Sequence, residues 1–403
     1  MPSIKIILPV LVFCQLIVAQ PNEVRKSLNL DILAKHTTYF EIENHQFKDA
    51  SVLTDALKDA HFVALGELHN RERLGELTSA LLIHLNESGF QNFAIETGPH
   101  SAMKLQQLMN QGQDSLSDFY SRYSSKLFGT YPIPFHIGKS DIEFLEVAHS
   151  LEYNIWGLDQ EYYHSFPFLI DELNELHSDS FSAEEKKIYK KISRKTKRWS
   201  KRSQVFKNFE MACQLQSDVD FLAFLNMFEE SQNLAIQRIV EGIKTSLNIY
   251  CLSQQGKGGN IERIDYFKEN FDEILSASEN EPTKVFVKMG SMHMGRQKSY
   301  VGNKDLGNHL QEVADSLVTS SVHIKYMNRF YKGKDNLNNK TWDSYHNFIA
   351  VGKKNQWTLI DLRVIRQLLI DEKFYISNNE LAEITNYDFI VIPPEDDWVV
   401  KHY

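Results

Sequence analysis

The sequence predicts an α/β protein, with a mainly parallel central sheet flanked by helices and a long helical insert. Three observations carry this. Short apolar runs that end in Gly or an acid alternate with helices of three- and four-residue apolar spacing. The connections between these runs are long enough for crossovers, which parallel strands require. The middle of the chain contains no clear strand. A chain of 403 residues has the length for one large core. Its formal net charge of -9 speaks against a dedicated nucleic-acid role.

At the N-terminus, Lys5 precedes an apolar run from Ile6 to Ala19, interrupted only by Pro9, Cys14 and Gln15. A charged head, a short apolar stretch and a small closing residue read as a secretory signal peptide over residues 1–19. The run is short for a bilayer span. Cys14 invites a lipoprotein reading, but bulky Phe13 stands where a small residue is expected. The expectation is an exported protein, periplasmic or extracellular, whose residues 20–403 form one domain. Cys213 and Cys251 would remain after cleavage, either paired or as two buried thiols.

His61 to Gly66 suits a buried strand. Leu74, Leu77, Leu81 and Leu85 then mark one face of a helix that Gly89 ends. Phe93 to Ile95 is a second strand, and Pro99 stands at a first helical position. Together these read as a β-α-β unit with a parallel pair. A helix from near Ser140 leads to a strand at Asn154–Leu158. Residues 165–278 read as several long helices, an insert or cap over the sheet. Within the insert, Lys186 to Arg202 is dense in Lys and Arg with hardly an acid. This reads as a solvated helix face, with weak contact to an anionic surface as the alternative. Later strands are expected at Lys284–Met289, Val322–Tyr326, Phe348–Val351, Trp357–Ile360 and Phe389–Ile392.

Ionisable residues recur at the strand ends: Glu67 and His69, then Glu96, then Asp159 with Glu161 and His164 behind it, then His293 after Gly290. Parallel strands would gather these on one rim, where open α/β sheets bind ligands. Glu67 and His69 are two apart, so an extended backbone points both the same way. Carboxylates and imidazoles together can hold a divalent metal or pass a proton. No Gly-x-Ser-x-Gly elbow is present, and no Cys lies near the rim. The candidate catalytic set is Glu67, His69, Glu96 and His293, and the same four are the candidate metal ligands. Asp159, His100 and Arg296 are the candidate substrate-binding residues.

The segments ALGELHN, FAIETG and VFVKMGSMHMGR, in that order, resemble the erythromycin esterase/ChaN-like superfamily, which takes in the TraB/Tiki proteins. Gly157-Leu158-Asp159, Leu306 to Leu310 and Ile360 to Arg363 add to the resemblance. It implies a mixed sheet flanked by helices, with Glu67, His69, Glu96 and His293 in one cleft. It also implies one of two roles. The first is a hydrolase that cleaves an ester or amide with Glu/His-activated water, metal-assisted or metal-free, on a small-molecule or peptide substrate. The second is a non-catalytic haem- or metal-binding protein.

Overall fold

A computed structural model of the protein describes residues 28–177, 181–206, 210–277, 283–298, 302–371 and 376–403. The expected signal peptide lies outside the described residues. The strands, in chain order, are β1 (Thr37–Glu43), β2 (Gln46–Lys48), β3 (Phe62–Glu67), β4 (Asn92–Ile95), β5 (Asn154–Gly157), β6 (Val285–Gly290), β7 (Ser321–Tyr326), β8 (Phe330–Tyr331), β9 (Lys334–Asp335), β10 (Trp357–Asp361) and β11 (Phe389–Ile392). Nine of them form one sheet in the order β2-β1-β10-β11-β7-β3-β6-β4-β5. From β11 to β5 all neighbours run parallel. The antiparallel pairs β2–β1, β1–β10 and β10–β11 close the other edge. The sheet is therefore mixed and mainly parallel, as expected.

β3, β6 and β7 are buried along their whole length. Alternate side chains serve two cores, as a pleated strand with helices on both faces requires. Val63, Leu65, Phe93, Phe286 and Ile324 face one core, which includes the helices Glu72–Glu87 and Lys139–Ser150. Phe62, Ala64, Ala94, Val285 and Val287 face the other, which includes the helices Gly259–Ala277 and Leu306–Ser316. The stretch Phe166–Ala277 is helical, with no strand among its described residues. No helix among the described residues is long and apolar enough to cross a membrane.

Two strand-level expectations change. β3 and β4 are parallel but not neighbours, because β6 inserts between them. Local periodicity carries no information on a partner almost 200 residues away. Phe348–Val351 is not a strand: His346–Ala350 is a short helix that buries Phe348 and Ile349. A four-residue apolar run satisfies either state when burial alone selects its residues. The β1–β2 hairpin was not anticipated. Its turn residues Asn44 and His45 both take positive φ, 50° and 60°, the geometry that favours a tight hairpin.

Cys213 and Cys251 form a disulfide that joins the helices Glu210–Gln216 and Leu234–Gln254 of the insert. The C-terminal residues act as a strap. Glu72 N–H donates to the Asp397 carbonyl (3.0 Å) and Val399 N–H to that of Asn70 (3.3 Å). Lys139 N–H donates to Val400 (2.7 Å), and His402 N–H to Ile137 (3.2 Å). The strap thereby links the turn after β3 to the loop before the Lys139–Ser150 helix.

Candidate active site at the carboxyl ends of the central strands

β3, β6 and β4 lie side by side, and Glu67 pairs in register with Gly290. Glu96 follows the last residue of β4. The strand order itself therefore brings Glu67, Glu96 and the turn after β6 to one rim. His69 Nδ1 lies 2.7 Å from Glu67 Oε1, and its Nε2 lies 3.7 Å from Glu96 Oε2. Pairing with a carboxylate fixes Nδ1 as the donor and leaves Nε2 to face Glu96. The side chain of His69 is 31% exposed, whereas Glu67 and Glu96 are buried. The imidazole is thus the member of this trio that solvent can reach.

The second histidine is built the same way. His293 closes a short 3₁₀ turn after β6, and its Nδ1 lies 2.9 Å from Asp305 Oδ2. Asp305 is also the N-cap of the helix Leu306–Ser316, accepting from Leu306 N–H at 2.8 Å. Glu96 stands between the two dyads and interacts electrostatically with both imidazoles. Its Oε2 accepts from Gly290 N–H at 2.6 Å and its Oε1 from Arg263 at 3.0 Å. Arg263 also donates to Asp159, through Nε at 2.9 Å. Asp159 thus joins the cluster through a guanidinium from the insert.

A buried lysine completes the electrostatics. Lys288, on the same face of β6 as Phe286, places its ammonium on Glu67 Oε2 and over the Phe144 ring, 5.0 Å from the centroid. Burial pushes the Glu67 carboxyl up, but Lys288 and His69 outweigh it and hold it at about 2. For Glu96 burial is likewise overcome, by His69, Arg263 and His293, and its pKa is lowered. Burial lowers His69, yet the two carboxylates beside it raise it above the ordinary histidine value. His293 is also raised, by Asp305 and Glu96 against burial.

Glu67, His69 and Glu96 each offer one ligand atom within 4.8 Å of the others, a spacing that can surround an ion. His293 is outside that group. The charges argue against a divalent occupant. Glu67 already holds the Lys288 ammonium, and Glu96 already holds Arg263. A metal would sit against two fixed cations with only one further neutral ligand from the trio. Both carboxylates are thus already neutralised, a setting that suits proton transfer at His69.

Two of the substrate-binding candidates do not reach the cluster. His100, at the start of the helix Pro99–Asn110, pairs with Glu172 of the insert. Arg296 is held by Asp388 and by the Ser321 carbonyl (2.8 Å), at the amino ends of β11 and β7. Behind Asp159, Glu161 accepts from the N–H groups of His100 (2.8 Å) and Ser101 (3.2 Å), and so caps that helix. His164 is tied to Ser200 Oγ at 2.6 Å, on the basic helix Ala183–Phe206.

Lys288, Arg263, Asp305 and Phe135 were not among the expected site residues. Lys288 carried a readable signal, a charge inside an apolar strand. Arg263 carried none, since polar residues are ordinary on a helix. Phe135 stacks on His69 with ring centroids 3.7 Å apart and planes 13° apart. Its backbone has φ 62°, a left-handed conformation rare for a bulky residue and frequent where function fixes geometry.

The fold is shared with solved structures. A Bacillus cereus protein aligns at a TM-score of 0.60 and 16% identity, over 93% of this chain and 100% of that one. A succinoglycan biosynthesis protein aligns at 0.57 and 15%, over 91% and 96%. A variant of erythromycin esterase EreC in its open conformation aligns at 0.55 and 15%, over 90% and 98%. At these identities the likeness is one of fold, and the fold implied by the sequence resemblance is the one found. No family model matches the chain. No curated protein matches it either.

Proposed function

We propose that the protein is a hydrolase that cleaves an ester or amide with histidine-activated water and no metal. The observation that carries this reading is the pair of carboxylate–histidine dyads, Glu67–His69 and Asp305–His293, on either side of Glu96. A carboxylate on Nδ1 orients the ring and stabilises its protonated form, which makes Nε2 a competent base. His69, the more exposed, takes the proton of the attacking water. His293, oriented by Asp305, polarises the substrate carbonyl, and the His69 imidazolium returns the proton to the leaving group as the tetrahedral intermediate collapses. Glu96 balances the positive charge that builds on His69. Lys288 and Arg263 keep Glu67 and Glu96 ionised, so neither carboxylate captures the proton. The fold shared with an erythromycin esterase supports the reaction class. Export to the periplasm or the cell exterior is part of the proposal, on the N-terminal sequence alone.

The test is a panel of esters and amides offered to the purified protein and to His69→Ala and His293→Ala. The expected result is hydrolysis of at least one substrate class, a loss of about 10²–10⁴-fold in kcat for each variant, and no effect of chelator or added divalent metal. Unchanged activity in both variants would remove the site assignment. A Soret band on mixing with haem, without hydrolysis of any substrate, would replace the enzyme with a haem-binding protein.

A further inference from the structure

Beside the two dyads lies a cavity of about 300 Å³ whose walls include Tyr131, Phe135, Gln160, Tyr162, Tyr163 and Tyr250. Phe135 and Arg263 belong to both places: one stacks on His69, the other holds Glu96, and both line the cavity. The aromatic wall is continuous. Tyr131 stacks on Tyr162 (5.8 Å), Tyr162 meets Tyr163 (4.5 Å), and Tyr163 meets Tyr250 edge-on (5.7 Å).

The wall presents no free charge among the described residues, because Arg263 and Asp159 neutralise one another there. It does present one unmet demand. Gln160 is 7% exposed, and its Oε1 is fully buried with no hydrogen-bond partner. An orphaned acceptor costs free energy that a donor on a ligand would recover. The strained backbone of Phe135 points the same way, since it holds the ring that separates His69 from the cavity.

We infer that this cavity is a subsite for one neutral, hydroxylated ring of the substrate, of the glycosyl class. The inference rests on the proposed hydrolase reading and names the chemistry of its substrate. Three properties select that class. Flat aromatic faces carry negative charge density and receive the partly positive C–H face of a saturated ring. Gln160 Oε1 is an acceptor that a ring hydroxyl satisfies. The one ion pair of the wall, Arg263 with Asp159, leaves no cation to hold an anionic ring, and Glu96 behind Arg263 opposes one. The volume is at the low end for ligand cavities and accommodates a single substituted ring. The scissile acyl group would then lie on the His69 side of Phe135, and the ring on the other.

The experiment measures binding apart from catalysis. Neutral methyl hexopyranosides and their monoacetates are titrated against the His69→Ala protein by saturation-transfer-difference NMR, with the methyl glucuronide as the charged control. The expected result is saturable binding of a neutral pyranoside and at least tenfold weaker binding of the glucuronide. Adding Tyr162→Ala or Gln160→Leu should weaken the neutral ligand at least tenfold, with thermal unfolding confirming that each variant is folded. No binding by any neutral pyranoside, equal binding of the glucuronide, unchanged binding in folded variants, or binding of phenols in place of pyranosides would each overturn the assignment. Because His69 is absent throughout, a failure here is separate from a failure to hydrolyse.

Discussion

Lys288→Met removes a charge while keeping most of the volume of a fully buried side chain. In the native protein the ammonium rests on Glu67 Oε2, and Glu67 is itself buried. Without it, Glu67 keeps only His69 as a counter-charge. Removing one partner of a buried pair costs about 3–5 kcal/mol, mostly through the charge left behind. The titration of Glu67 gives a second route to the magnitude. A carboxyl held at about 2 in place of 4.5 contributes about 3 kcal/mol. Its sign is that of a depressed acid: the contribution is present above pH 4.5 and is lost as pH falls towards 2. Urea unfolding of wild type and Lys288→Met should therefore differ by about 3 kcal/mol at pH 7, and the gap should narrow as pH drops below 4.5. Adding Glu67→Gln to Lys288→Met should restore most of the loss, because the uncompensated charge is gone. A loss under about 1 kcal/mol at pH 7, or a double variant no more stable than Lys288→Met, would refute the claim that Lys288 neutralises Glu67.

Other outcomes follow from the same geometry. Glu67→Gln should shift the rising limb of the kcat/KM–pH profile to lower pH, because Glu67 is among the groups that raise His69. The stability supplied by charged His69 is full below pH 6.5 and is lost as pH rises through its raised native value, so unfolding curves above pH 6.5 should flatten in the same variant. In Gly290→Ala, the new methyl would meet His69 Nε2 at 3.1 Å and Glu96 Oε2 at 3.2 Å. Under the proposed mechanism, a displacement of the His69 imidazole should cost about 10²-fold in kcat with little change in melting temperature, measured on the best substrate of the panel. Reduction of Cys213–Cys251, which spans 38 residues, should lower stability by about 3–4 kcal/mol; calorimetry with and without reductant checks this.

The sequence was most informative where a residue's role depends on its own strand. Glu67, Glu96 and Asp159 each stand at or just after the carboxyl end of a short apolar run, and a parallel sheet can only gather them. It was silent where the role depends on a partner far along the chain. Nothing near β4 foretells that β6 will lie between it and β3. Nothing in the Gly259–Ala277 helix sets Arg263 apart from the other charged residues on its surface. Arg296 shows the converse: it follows His293 by three residues, yet a turn sends its guanidinium to Asp388 at the opposite ends of the strands. Proximity in sequence survives along an extended strand and is lost across a turn. Lys288 was legible in principle, since a lysine flanked by valine and methionine in a buried strand needs a counter-charge.

The C-terminal strap carries a consequence for how the protein is made. Residues 397–402 hold the turn that bears His69 and the loop that bears Phe135, and β10 and β11 join β1 to the parallel strands. During synthesis all of these partners emerge before the residues that fasten them. A nascent chain can assemble β3, β6, β4 and the insert, but His69 and Phe135 acquire their final support only when residues 397–402 arrive. The two-dyad site is therefore completed after most of the hydrophobic core has closed, and a chain interrupted shortly before residue 397 would be compact with His69 and Phe135 unsupported.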